Sequence, residues 1–266
     1  MEHKPRKRLG QHFLHDANSI RRIVAAIAPR PGDTMVEIGP GLGAITRPLL
    51  EALGQLTVVE FDRDVIPLLQ AACADLGDLR VHQQDALRFD FSSLATPDAL
   101  QPALRVVGNL PYNISTPLLF HLLDSHQHIK DMHFLLQKEV VDRLSAAPGS
   151  EHYGRLSVMV QYRCQVEALF GVGPGAFRPP PRVDSAVVRL LPYARLPCVA
   201  EDERQFAQLV QQAFAQRRKT LHNALKRIPN ATPAMQAIGL DPGLRAERLG
   251  VADFVRLSNQ VLHLHG

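Results

Sequence analysis

The sequence is poor in cysteine. Three in 266 residues, at Cys73, Cys164 and Cys198, are too few and too scattered for a disulfide framework or a CxxC metal or redox pair. That usage suits a reducing cytosol. There is no apolar run near the roughly 18 residues of a membrane span, and the charged N-terminus lacks the apolar stretch of a signal peptide. A soluble cytoplasmic protein with no membrane partner is therefore expected. Internal repeats and low-complexity tracts are missing, and so is a phosphate-binding GxxxxGK(S/T) loop, because Gly43 is followed by Ala44, Ile45 and Thr46. The twelve histidines include the pairs His126/His128 and His263/His265, but no cysteine or acid stands at ligand spacing from them, so no metal site is expected.

What is present is a composition of 45% hydrophobic and 21% charged residues, typical of a folded chain with room for one large domain or a large and a small one. The net charge of +4 is unevenly spread. Residues 4–8 carry Lys4, Arg6, Lys7 and Arg8, and residues 217–227 carry Arg217, Arg218, Lys219, Lys226 and Arg227, with no acid in either window. Residues 1–195 hold 21 basic and 20 acidic side chains while 196–266 hold 9 and 6, so the C-terminal part is disproportionately basic. Such clusters suit phosphate contacts, although a solvated helix face looks the same.

Apolar periodicity organises the rest. Ile20, Ile23, Val24 and Ile27 predict an amphipathic helix over residues 19–28, capped by Asn18 or Ser19. Apolar runs at 35–38, 56–61, 79–82 and 104–108, separated by helix-length spans, predict a βαβ rhythm. A helix over 116–124, a fifth strand over 132–136 and a helix over 139–146 follow. Residues 156–162 and 185–191 read as an antiparallel strand pair at one sheet edge. After Pro192 strand patterns stop, and helices are expected over 203–227, 232–238 and 251–262. The division predicted is a large α/β domain, residues 1–195, with a basic N-terminal arm over 1–15, and a small all-α domain, residues 196–266.

The first strand hands over to the next helix through Glu37-Ile38-Gly39-Pro40-Gly41-Leu42-Gly43-Ala44. Read as Gly39-x-Gly41-x-x-Ala44, this loop satisfies a relaxed dinucleotide fingerprint and would suit NAD. Read as Glu37-x-Gly39-x-Gly41-x-Gly43, it matches motif I of S-adenosylmethionine-dependent methyltransferases. A carboxylate at Glu37 would repel a pyrophosphate but suits the cationic methionine end of S-adenosylmethionine, which favours the sulfonium cofactor. Glu60 closes the second strand, where a carboxylate can accept both ribose hydroxyls, a position that serves either cofactor. Asp85 ends the third strand, placed to accept from an adenine amino group. Any one of these acids could be a surface residue; three at successive parallel strand ends mark the edge where open sheets bind ligands.

After the fourth strand stands Asn109-Leu110-Pro111-Tyr112, the (N/D/S)-(L/P)-P-(Y/F) pattern of enzymes that methylate exocyclic amino groups. Such a nitrogen is a poor nucleophile because its lone pair is delocalised into the ring. The Asn109 side-chain oxygen and the Leu110 carbonyl can accept its two N–H bonds and favour a tetrahedral nitrogen facing the methyl donor, while Pro111 stiffens the turn and Tyr112 can stack on the base. A base drawn from a helix calls for a second aromatic, and Phe177 is the candidate.

With these residues in hand, the chain resembles the KsgA (RsmA) family of small-subunit ribosomal RNA adenine dimethyltransferases. Its markers are Arg8-Leu9-Gly10-Gln11-His12-Phe13-Leu14, residues 36–43 and 109–116, Gln137-Lys138-Glu139-Val140, Tyr153-Gly154-Arg155-Leu156-Ser157, residues 177–187 and Gln216-Arg217-Arg218-Lys219-Thr220. The resemblance implies a Rossmann-like S-adenosylmethionine-dependent methyltransferase sheet with a small helical C-terminal domain that contacts RNA or ribosome. It implies dimethylation of two adjacent adenosines near the 3′ end of 16S rRNA in the immature 30S subunit, with S-adenosylhomocysteine as product; a monomer is the default expectation for an enzyme that must dock on a particle. His12 and Leu14 would line the cofactor pocket beside Gly39, Glu60, Asp85 and Asn109. Lys4, Arg6, Lys7, Arg8, Arg217, Arg218 and Lys219 would hold RNA phosphates. Some members carry Asn where this chain has His12; a histidine can still hydrogen-bond the cofactor's carboxylate. Three other readings stand beside this one: a resistance methyltransferase of large-subunit rRNA, an assembly factor whose methylation is incidental, and an NAD-dependent oxidoreductase.

Overall fold

The computed structural model describes residues 12–95, 102–216 and 218–264. They divide into two compact units, one of Met1–Val141 with Glu167–Pro192 and one of Asp142–Val166 with Tyr193–Gly266.

The first unit is α/β. Its seven-stranded sheet runs β4(Asp78–Gln83), β3(Gln55–Glu60), β2(Thr34–Ile38), β5(Leu104–Asn109), β6(Ile129–Gln137), β9(Ser185–Pro192), β7(Cys164–Val172). The β4–β3, β3–β2, β2–β5 and β5–β6 pairings are parallel, and β9 joins β6 antiparallel over Met132↔Leu190 to Gln137↔Ser185. β2, β5 and β6 are almost wholly buried, which is why they read as continuous apolar runs rather than as alternation. Helices α1(Ala17–Ile27), α2(Thr46–Leu53), α3(Ile66–Cys73), α4(Ser115–Asp124) and α5(Lys138–Ser145) alternate with the strands. α1 is capped by Asp16, whose carboxylate accepts from the Ser19 amide at 2.7 Å, two residues before the expected Asn18. A two-stranded ladder of β1(Phe13–Leu14) with β8(Phe177–Arg178) pairs Leu14 with Phe177.

The sheet order reverses between β2 and β5, so the loops leaving their C-terminal ends diverge and open a crevice. At the opposite edge Arg105 is locked in place. Its Nε donates to both Asp131 oxygens (3.0 and 3.1 Å), Nη1 to Asp33 (2.6 Å) and to the Ala28 carbonyl (3.3 Å), and Nη2 to the Ile27 carbonyl (2.5 Å). A cation thus closes the carbonyl end of α1 and ties it to β5 and β6.

The second unit is helical: α6(Arg155–Arg163), α7(Glu203–Phe214), α8(Leu221–Ala224), α9(Ala231–Ala237) and α10(Val251–His263) around a core that includes Tyr153, Val158, Tyr162, Phe206, Leu209, Phe254 and Leu257. Three expectations change here. Residues 156–162, expected as a strand, form α6, and the neighbour of β9 at the sheet edge is the segment after it, β7. A short, mostly buried run carries no clear period to tell helix from strand. The Ser157 hydroxyl decides it, accepting from the Gly154 amide at 3.0 Å and donating to the Arg143 carbonyl. The single helix expected over 203–227 stops at Phe214 and resumes only as the one-turn α8. The division expected at 195/196 falls close to the observed Pro192/Tyr193, but residues 142–166 join the second unit, because Tyr153, Val158 and Tyr162 pack among its helices.

Candidate active site

A cavity of about 230 Å³ opens at the C-terminal edge of the parallel sheet, in the first unit. Three loops build it. After β2, Gly39, Gly41 and Gly43 all take positive φ. At Gly41, φ +55°, a Cβ would lie 3.0 Å from the Phe13 ring, so glycine is what lets the loop and the β1 segment share one wall. After β3 and β4 stand Glu60 and Asp85, and after β5 comes the Asn109–Tyr112 turn.

The acids differ in state. Glu37 is 1% exposed and lines the cavity, and its Oε2 has no hydrogen-bond partner among the described residues. Burial, opposed by the Thr46 hydroxyl and reinforced by Glu60, pushes its carboxyl up to about 8. Glu60 is held by two amides, Asp62 N–H at 2.8 Å on Oε1 and Gly41 N–H at 3.4 Å on Oε2; burial nonetheless raises its carboxyl above the usual range. Each oxygen keeps a second lone pair for a hydroxyl donor. Asp85 uses Oδ1 to accept from the Leu87 amide at 3.0 Å, which leaves Oδ2 as the acceptor for an exocyclic amino group.

The turn after β5 is held from three sides. The Leu110 amide donates to the Leu135 carbonyl of β6 (3.2 Å), Asn109 Nδ2 donates to the His12 carbonyl (3.0 Å), and the Tyr112 hydroxyl hydrogen-bonds Ser185 Oγ (2.7 Å). Because a carbonyl only accepts, the His12 contact fixes which end of the Asn109 amide is which and leaves Oδ1 as its acceptor. The His12 ring stacks on Tyr112 with centroids 5.6 Å apart, and His12 Nδ1 lies 2.7 Å from the Pro179 carbonyl.

Of the residues expected at the site, His12, Leu14, Glu37, Gly39, Gly41, Glu60, Asp85, Asn109, Leu110 and Tyr112 all line the cavity. Two do not. Gly43 sits behind the loop, where a Cβ would meet Leu69 of α3 at 3.1 Å. Phe177, expected to sandwich a base, is 2% exposed in the apolar core with Leu14, Val172, Ala176 and Val187. Its pairing with Leu14 turns the ring inward, so it anchors the His12–Leu14 wall, and the aromatic against Tyr112 is His12. Phe61, 59% exposed, lines the cavity rim without being among the expected residues; its place directly after a strand-ending acid is the signal for it. Arg218 and Lys219 are exposed in the second unit, whereas Lys4, Arg6, Lys7, Arg8 and Arg217 lie outside the described residues. Among the described residues no three His, Cys, Asp or Glu side chains converge as metal ligands, and no helix is long and apolar enough to cross a membrane.

The residues present fit S-adenosylmethionine: a glycine-lined loop, two strand-end acids with lone pairs open to hydroxyl or amino donors, and a buried carboxyl with one unpartnered oxygen that a cationic group would ionise and pair. Comparison with known proteins agrees. A ribosomal RNA adenine dimethylase family model matches residues 2–262. The ribosomal RNA small subunit methyltransferase A of Pseudomonas fluorescens Pf0-1 is 56% identical over 260 residues, covering 98% of this chain and 94% of that protein. Among solved structures, the 23S rRNA methyltransferase ErmE superposes with a TM-score of 0.72 at 25% identity over 94% of this chain and 99% of that one. A Plasmodium falciparum dimethyladenosine transferase shares the fold with a TM-score of 0.75 at 24% identity, over 92% and 96% of the two chains. On these grounds the chain belongs to the ribosomal RNA adenine dimethylase family.

Proposed function

We propose that this protein is the S-adenosylmethionine-dependent enzyme that dimethylates N6 of two adjacent adenosines near the 3′ end of 16S rRNA, acting as a cytoplasmic monomer on immature 30S subunits. The observation that carries the reading is the Asn109–Tyr112 turn, held at the cavity wall with the Asn109 amide oriented by His12. When bound, S-adenosylmethionine supplies an electrophilic sulfonium methyl. Glu60 would take the ribose hydroxyls, Asp85 the adenine amino group, and Glu37 the positive charge of the methionine end, with His12, Leu14, Gly39 and Gly41 shaping the wall. The chain's task is then one of position. Asn109 Oδ1 and the Leu110 carbonyl accept the two N–H bonds of the target amino group, which withdraws its lone pair from the base and directs it at the methyl. Tyr112 supplies the stacking face. The nitrogen held there would take the methyl that the sulfonium supplies and would then give its proton to water.

Beyond the cavity, Arg218 and Lys219 of the second unit, with Arg217 and the arm residues Lys4, Arg6, Lys7 and Arg8, would grip phosphates and set the register of the RNA. The likeness to small-subunit enzymes at 56% identity favours 16S over the 23S substrate named for ErmE, at 25%. Methyl transfer from tritiated S-adenosylmethionine to 30S subunits lacking the modification, followed by nucleoside mass spectrometry, tests this. Dimethyladenosine at two adjacent positions is the expected result. Transfer to naked 23S fragments instead would reverse the substrate assignment.

A further inference from the structure

We propose that Ser185 is a positioning residue for methyl transfer, holding the Tyr112 ring at the angle from which it stacks on the target base; this rests on the function proposed above.

The Tyr112 ring is mounted at two points that belong to different strands. Its backbone leaves the end of β5, two residues after the Leu110 amide is fixed to the Leu135 carbonyl of β6. Its hydroxyl, at the far end of the ring, meets Ser185 Oγ at 2.7 Å. Ser185 is itself immobilised: it is fully buried, opens β9 and sits opposite Gln137 at the last rung of a six-pair ladder with β6. A ring attached only through Cβ turns about χ1 and χ2, whereas a ring whose para oxygen is tied to a second strand cannot turn without breaking that bond.

The choice of residues also argues for position over packing. A phenylalanine at 112 beside an alanine at 185 would fill similar space without bringing a hydroxyl into a buried place. A serine hydroxyl with no solvent exposure is costly unless paired, and Tyr112 is the hydrogen-bond partner found for it. The pair is therefore useful only if the orientation of the ring matters. His12 stacked against the same ring, and hydrogen-bonded through its own carbonyl to Asn109, links that orientation to the group that accepts the hydrogen bonds of the base amino group.

The test is a double-mutant cycle on 30S subunits lacking the modification, with Ser185→Ala, Tyr112→Phe and the double variant. Each single change should lower kcat about tenfold while KM for subunits and Kd for S-adenosylmethionine stay within about twofold. The double variant should be no slower than the slower single one, because both remove one bond. Tyr112→Phe reads the bond without altering β9, so a folding defect in Ser185→Ala would not hide the answer. Wild-type kcat in Tyr112→Phe, multiplying effects in the double variant, or loss of cofactor affinity in step with kcat would overturn the role of Ser185. An unaltered parent that transfers no methyl to these subunits would overturn the substrate assignment and this inference with it.

Discussion

Arg105 and Glu37 are both ionisable residues buried in the same sheet, 6% and 1% exposed, and they stand towards its opposite edges. At the N-terminal edge Arg105 is saturated. Burial works against its charge, but the hydrogen bonds and charges of Asp131 and Asp33 outweigh it, so the guanidinium is held more firmly protonated than in water. Asp33 follows the same logic: burial would raise its carboxyl, yet Arg105, the Arg30 amide and Lys130 bring it below the usual range. At the C-terminal edge Glu37 has an oxygen with no partner, and its proton stays on to about pH 8. One edge spends its polar groups on internal closure, and the other leaves them open towards a cavity. Incomplete satisfaction thus separates the ligand-binding edge from the structural one, although both bury an ionisable side chain to a similar depth.

The largest effect should come from breaking the closed edge. Arg105→Met leaves Asp131 and Asp33 buried without their cation and frees the Ile27 and Ala28 carbonyls, and should cost about 3–5 kcal/mol of stability by urea unfolding at pH 7. The folded fraction should keep its affinity for S-adenosylmethionine; a parallel loss would mean that the two edges are coupled. Glu37→Gln should do the reverse. The native carboxyl titrates near 8 and the unfolded one near its ordinary 4.5, so the folded protein binds the extra proton between them. Stability should therefore fall as pH rises through that window in the wild type, by about 3 kcal/mol at pH 7, and should not in the glutamine variant. That variant should be the more stable protein at pH 8 and the weaker cofactor binder. A less stable variant at pH 8 would show that the wild-type carboxyl is not held neutral.

Level with Glu37 across Val107 of β5 lies His133 of β6, 4% exposed, with neither ring nitrogen hydrogen-bonded among the described residues. Burial, only partly opposed by Asp131 and reinforced by Arg105 and Arg189, pushes it down to about 4. Here the unfolded state binds the extra proton, so the contribution to stability is whole above pH 6.5 and lost as pH falls through 4. His133→Leu should flatten this acid limb by roughly 2–3 kcal/mol at pH 4. An unchanged acid limb would place the loss elsewhere.

Much of the open edge was legible in the sequence because its signals are local. Glycines beside Glu37, acids at the ends of apolar runs and an Asn-Leu-Pro-Tyr turn each lie within a few residues of the strand that displays them. The closed edge was not legible: Arg105 meets Asp131 and Asp33 across 26 and 72 residues, and nothing near it in sequence marks it as buried. Distance in sequence also explains the displaced expectations. Phe177 turns into the core because it pairs with Leu14, a contact no spacing rule reveals, and Ser185 reaches Tyr112 across 73 residues. Residues 156–162 lacked a clear period, and their helix and their unit were decided by the Ser157 bonds to Gly154 and Arg143 together with packing against Phe206 and its neighbours.

The smallest effects, and the sharpest contrast, come from two glycines in the same strand's flanking turns. Gly32 precedes β2 with φ +89° and has nothing within 4 Å of where a Cβ would stand, whereas Gly41 follows β2 with φ +55° and the Phe13 ring 3.0 Å from that point. Alanine at either should cost about 1–2 kcal/mol for the left-handed backbone. Only Gly41→Ala also presses on Phe13, which carries with it His12, the acceptor for Asn109, and Leu14, a wall of the cavity. Affinity for S-adenosylmethionine, measured by calorimetry, should fall about tenfold in Gly41→Ala, worth about 1.4 kcal/mol, and stay level in Gly32→Ala. Equal losses would mean that backbone strain at either end of β2 reaches the cavity, and the separation between closed and open edges would then not hold at the level of a single strand.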